Sequence, residues 1–108
     1  MASLDCARRF GENLVCCRKQ AGLSQEELGE RANLHRTAIG LLERGARVPR
    51  IDTLVKLAAA LEVPPCDLLD GMVWKPGSAT EGRFIETEVS GLGTVHRRFG
   101  IERVVPAD

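Results

Sequence analysis

Four arginines, Arg36, Arg44, Arg47 and Arg50, lie within residues 36–50, and Glu43 is the only acidic side chain among them. A guanidinium donates in a rigid fork that matches phosphate oxygens and the O6 and N7 acceptors of guanine, so this cluster suits an acceptor-rich, anionic partner. Residues 51–71 invert the balance, with Asp52, Glu62, Asp67 and Asp70 against Lys56 alone. Over its 108 residues the chain has no net charge, which by itself argues against nucleic acid, because phosphate neutralisation usually shows as a basic excess. Segregation answers that objection, since the positive charge is gathered into one short stretch.

Two short amphipathic helices are needed to position these groups, and residues 24–45, SQEELGERANLHRTAIGLLERG, supply them. Ser24 followed by Glu27 is a capping box that opens the first helix, and Leu23 and Leu28 bracket it as a hydrophobic staple. Asn33 stands where the chain must turn; asparagine tolerates a left-handed backbone better than any residue except glycine. In the helix that follows, Ile39 and Leu42, with Leu34 just before, face inward. Arg36, Thr37, Gly40 and Arg44 fall largely on the other side. The layout is that of a helix-turn-helix, and its outer face is suited to a major groove.

Further helices must carry this pair. The first is expected from near Asp5 to just before Gly22, with Phe10, Leu14 and Cys17 as its buried stripe. A loop at residues 45–50 leads to a fourth helix, whose core-building register is Ile51, Leu54, Val55, Ala58 and Leu61. Pro64 and Pro65 end it and pre-set a short fifth helix at residues 65–69, closed by Gly71. The expected fold class is all-α, a five-helix domain at residues 1–71 followed by a short β appendage at residues 72–108. There, residues 72–75 and 83–89 read as strands joined through a loop at 77–82. Residues 83–89 and 94–99 are expected to form a hairpin with Glu86 and Glu88 opposite His96 and Arg98. The appendage buries little by itself, so it serves either as a dimerisation element or as a mobile tail.

Several classes of function find no support. No apolar run approaches the roughly 20 residues that span a bilayer, and the N-terminus has no signal-peptide core, so a cytoplasmic protein is expected. Cys6, Cys16, Cys17 and Cys66 lack CxxC spacing and neighbouring histidines, which indicates neither a metal site nor a redox motif. Cys17 reads as core and Cys66 as packed, with Cys6 and Cys16 exposed. No nucleophile, base and carboxylate set and no phosphate-cradling glycine loop is present, so neither an enzyme nor a cofactor is expected.

The order FGENL, CRKQAGLSQEEL, the turn at Ala32, Asn33 and Leu34, LLERG, and VPRIDTLVKLAAALEVPPCDLL, over residues 10–69, resembles the Cro/C1-type helix-turn-helix family of bacterial and phage regulators. That family is also called the xenobiotic response element family. The resemblance implies a lambda-repressor-like domain that binds double-stranded DNA, reads sequence and regulates transcription. It implies that Arg36 and Thr37 reach base edges from the start of the recognition helix, with Gly40 and Leu41 on the same side. Leu41 departs from the polar reader of many relatives, and Gly40 offers no side chain, which concentrates reading at the first turn. Gln25 matches a phosphate-binding position, and Arg44, Arg47 and Arg50 match a backbone clamp. His35 stands where relatives often place a Ser or Thr cap; it is expected to cap poorly and to donate to a phosphate instead. Arg18 and Glu43 match a partly buried ion pair that fixes helix orientation. A homodimer would place two recognition helices in successive major grooves about 34 Å apart on an inverted repeat, and occlusion of a promoter would repress. Two alternatives stand beside this. One is a protein-interaction or antitoxin-like module with weak DNA binding; the other is a sensor in which residues 72–108 meet a ligand or protein partner, or the cysteines respond to oxidation.

Overall fold

Phe10, Leu14 and Cys17 recur at i, i+4 and i+7, and all three are buried on one side of helix α1, Ala2–Gln20. The computed structural model describes residues 2–77 and 82–86. Helix α1 begins at Ala2 rather than near Asp5, since nothing among Ala2, Ser3 and Leu4 breaks a helix. Past its end Gly22 adopts φ +73°, and the amides of Gly22 and Leu23 return to the carbonyls of Lys19 and Arg18 at 3.0 and 3.1 Å.

Helix α2 spans Gln25–Ala32 and carries both halves of the capping box. The Glu27 amide donates to Ser24 Oγ at 3.0 Å, and the Ser24 amide donates to Glu27 Oε1 at 2.8 Å. The Ser24 amide, and then its hydroxyl, hold the Glu27 carboxyl below its ordinary value. Asn33 closes the helix in the left-handed region with φ 58°, and the chain turns there into α3, Arg36–Glu43. Helix α4, Ile51–Leu61, ends at a left-handed Glu62, and α5, Pro65–Leu68, follows with proline in its first turn.

Side chains from all five helices meet in one core: Phe10, Leu14, Leu28, Ile39, Leu57 and Leu68 are each almost wholly removed from solvent. Two helical glycines set how closely those helices approach. A methyl group on Gly11 would lie 2.5 Å from the Leu42 carbonyl oxygen, and one on Gly29 would lie 2.5 Å from that of Leu34. Asn13, buried beside Gly11, donates from Nδ2 to the carbonyls of Leu68 and Asp70 at 3.0 and 2.8 Å, fastening α1 to the far end of the domain.

The register of α4 corrects the sequence expectation. Leu57, Ala58, Ala60 and Leu61 are buried and Leu54 is partly buried, whereas Ile51 and Val55 are 79% and 53% exposed. Apolar residues occupy more than one side of this helix, so periodicity alone admits two faces. Packing against α2 and α5 selects the one centred on Leu57 and Leu61.

Beyond Gly71, strand β1, Met72–Lys75, pairs antiparallel with β2, Arg83–Glu86, in the register Val73 to Ile85 and Trp74 to Phe84. The Trp74 and Phe84 rings meet edge to face with centroids 5.2 Å apart, and β2 packs against α1. The first strand and part of the second thus pair with each other; the expected pairing with residues 94–99 lies outside the described residues. No described helix is long and apolar enough to cross a membrane.

Gly29→Ala should destabilise the domain by about 1–3 kcal/mol, because a backbone carbonyl rather than a flexible side chain stands in the way. Urea unfolding checks this, and an unchanged midpoint would mean that the α2–α3 turn yields freely. A carboxyl held below its ordinary value stabilises the fold above that value, and the contribution is lost as pH falls through its folded value. Ser24→Ala keeps the amide and removes only the hydroxyl, so it should raise the Glu27 titration midpoint, followed by NMR, part of the way to its ordinary value and shrink the acid-side loss of stability in part.

Candidate nucleic-acid interface

Helix α3 is short, and its two ends are fixed by different devices. At the start, His35 Nδ1 accepts from the Thr37 amide at 3.0 Å. This corrects the expectation that His35 caps poorly: the imidazole supplies the acceptor that Ser or Thr would otherwise provide. Acceptance at Nδ1 puts the neutral ring's proton on Nε2 of this exposed side chain, which lines a cleft with Glu26, Glu30 and Arg36.

Near the other end, Glu43 is held from two directions. Arg18 Nε donates to its Oε2, and Arg18 Nη2 donates to its Oε1 at 3.1 Å. Gln25 Nε2 adds a third bond to the same Oε1 at 2.8 Å, while Arg18 Nη1 donates to the Leu23 carbonyl at 2.9 Å. The side chains of Arg18 and Glu43 are 13% and 5% exposed, so water screens the pair little. The hydrogen bond from Arg18 to Glu43 raises the already high pKa of the guanidinium. The network joins α1, the start of α2 and the end of α3. Gln25, expected as a phosphate ligand, is part of it: one amide hydrogen goes to Glu43, which leaves the amide a second donor.

With Ile39 and Leu42 buried, α3 turns Arg36, Thr37 and Arg44 to solvent, and Leu41 is half-buried at the margin. Gly40 does not stand open on this face. It is buried, with Arg44 Nη1 and Gln25 Oε1 lying over the place a side chain would take. Gln25, Arg36, Thr37, Gly40 and Arg44 together line one shallow cleft. No carboxylate lines it, because Glu43 faces Arg18 and Gln25 instead.

Arg47 and Arg50 follow on the loop after α3, where Gly45 turns the chain with φ +74°. Arg47 is exposed, and Arg50 Nε lies 3.2 Å from Asp52 Oδ1 with both side chains largely in solvent. Such a surface pair is weak, so Asp52 does not commit the guanidinium. Among the described residues no cluster of His, Cys, Asp and Glu suits a metal ion. Cys16 is exposed, Cys6 and Cys66 are partly buried, and burial, with Asp67 next in effect, pushes the core thiol of Cys17 up to about 12. Cys6 is therefore less exposed than the sequence suggested.

A model of the helix-turn-helix family matches residues 17–68. The chain is 42% identical over 62 residues to the control protein C.BamHI of Bacillus amyloliquefaciens, covering 56% of this chain and 76% of that one. It is 41% identical over 66 residues to the control protein C.SmaI of Serratia marcescens, covering 61% and 79%. Among solved structures it is similar to the restriction-modification controller protein C.AhdI of Aeromonas hydrophila, with 39% identity, TM-score 0.56 and coverage of 57% of this chain and 94% of that one. It is also similar to the P22 c2 repressor in complex with a synthetic operator, with 32% identity, TM-score 0.53 and coverage of 56% and 91%.

Glu43→Ala strands the Arg18 guanidinium in a largely dry site and should cost about 3 kcal/mol of stability. Joint replacement, Arg18→Met with Glu43→Leu, should recover most of that loss, because neither charge is then left unpaired. Denaturant titration of the three proteins decides it; a single variant as stable as the parent would show that the pair does not hold α3.

Proposed function

Because the chain belongs to the Cro/C1-type helix-turn-helix family of DNA-binding transcriptional regulators, we propose that it is a sequence-specific repressor that binds an inverted-repeat operator as a homodimer in the cytoplasm. The observation that carries this reading is the outward side of α3: Arg36, Thr37 and Arg44 face solvent on a helix held rigidly behind by Glu43 and the Gly29 contact. A rigid helix with its cations outward is what base reading requires, since a bidentate contact is lost when the fork shifts by a fraction of an ångström.

In this reading Arg36 and Thr37 meet base edges, while Gly40 and Leu41 bound the same surface. Gln25, His35 Nε2, Arg44, Arg47 and Arg50 meet phosphates on either side. Residues 1–71 form the DNA-binding domain and residues 72–108 the appendage. The exposed side chains of Ile51 and Val55, one turn apart on α4, with Val48 nearby in sequence, supply apolar surface for a second copy. Both the controller proteins and the phage repressor share this helical domain, and promoter occlusion by a dimer is the mode assigned here.

Selection of bound duplexes from a random DNA library is the test. An inverted repeat with half-sites one helical turn apart is expected; recovery of no motif, with weak binding only, would instead favour a protein-interaction module. On the recovered duplex, Arg36→Ala should lose about 1–3 kcal/mol of discrimination at one base position. Arg47→Ala should weaken all sequences alike and lower the salt slope by about one. Equal loss on every sequence from Arg36→Ala would reassign that arginine to the phosphate backbone.

A further inference from the structure

Three glycines lie inside the helices of this domain, and packing explains only two. Added methyl groups on Gly11 and Gly29 would strike backbone carbonyl oxygens at 2.5 Å, so those positions admit no side chain. At Gly40 no backbone atom stands in the way. A methyl group there would meet Arg44 Nη1 at 3.2 Å and Gln25 Oε1 at 3.9 Å, both at the far ends of side chains. Glycine inside a helix lowers its stability relative to alanine, so Gly40 weakens α3 with no structural need for the space.

The Arg44 guanidinium borders that space, with Nη1 3.2 Å from where the methyl carbon would sit. Arg44 lies one turn after Gly40, and its side chain folds back beside the glycine, where Gln25 Oε1 also lies within 3.9 Å of the vacant side-chain position. Gln25 is in turn fixed by its bond to Glu43. A free arginine loses much side-chain freedom when it grips a ligand, and a seat that holds it beforehand reduces that loss. The cleft around it is lined by Arg36 and Thr37 as well, carries two guanidinium groups and no carboxylate, and so matches a singly charged, acceptor-only group.

We propose that Gly40 is a positioning residue: its missing side chain is the seat that holds Arg44 beside Gln25, and the two groups together bind one phosphodiester of the DNA backbone. This rests on the DNA-binding reading above and assigns Gly40 to the phosphate contact, although its place on α3 suggests base reading.

The test uses the full chain, the duplex recovered by selection and an unrelated duplex of equal length. Gly40→Ala crowds the seat and Gly40→Leu fills it, while both improve helix propensity. Gly40→Ala should raise the melting temperature by about 4 °C, which separates any binding defect from unfolding. Gly40→Leu should weaken both duplexes by roughly tenfold at constant salt and reduce the salt slope by about one. Adding Arg44→Ala to Gly40→Leu should cost little more, because the seat and its occupant act as one unit. A methylphosphonate at the contacted phosphate should weaken the parent protein and leave Gly40→Leu nearly unaffected.

Three results would overturn the proposal: unchanged binding by Gly40→Leu, losses that add fully to those of Arg44→Ala, or a changed preference at one base pair in place of a uniform loss. Each is read against a parent protein that binds its selected duplex, so the DNA-binding reading stands or falls separately on the selection.

Discussion

The carboxylate of Glu43 is the point on which the arrangement of helices turns. It accepts from Arg18, 25 residues earlier, and from Gln25, so one nearly buried side chain fixes α1, α2 and α3 to each other. A buried ion pair is seldom a large net source of stability, since desolvation offsets much of the attraction. Its value here is directional. Apolar contacts tolerate sliding, but a forked guanidinium on a carboxylate, with a third donor on the same oxygen, admits one orientation of α3. In the proposed function base reading would depend on that orientation, since the network sits directly behind the outward side of α3.

Close approach of backbones supplies the second constraint. Gly11 lets α1 reach the carbonyls at the end of α3, and Gly29 lets α2 reach the turn that precedes it. Asn13 adds hydrogen bonds to the carbonyls of Leu68 and Asp70, so α1 touches both α3 and the end of α5. Helix α1 thereby acts as the common support, and the small sheet leans on it through β2. The core side chains fill the space between these polar anchors, and their burial provides most of the driving force.

Charge is handled with similar economy. A chain with no net charge presents a cationic face because Glu43 is turned inward to Arg18, while Arg36, Arg44 and Arg47 stay in solvent. Asp52 holds Arg50 weakly at the edge of that face. Among the described residues, the cleft on the outer side of α3 is lined by Arg36 and Arg44 without a carboxylate, the acidic residues of α4 and α5 lie outside it, and Glu26 and Glu30 line the neighbouring cleft with His35 and Arg36.

Local physics was legible in the sequence. The capping box of Ser24 and Glu27, the left-handed turn at Asn33, the proline start of α5 and the stripe of Phe10, Leu14 and Cys17 involve atoms a few residues apart, and the chain forms them much as their spacing indicates. The Arg18–Glu43 contact followed from family resemblance, since nothing in the spacing of two charges 25 residues apart brings them together. Tertiary structure alone decided the rest. It chose which apolar side of α4 is buried, because a helix apolar on more than one side has no preferred face until its neighbours arrive. It placed the Gln25 amide on Glu43 and the Arg44 guanidinium over Gly40. The His35 cap, by contrast, is local: its acceptor reaches the amide two residues on, and the sequence does not announce it because histidine is not among the usual capping residues. Sequence periodicity reports which side chains share a face; the partner of that face is settled only by the packing of distant segments.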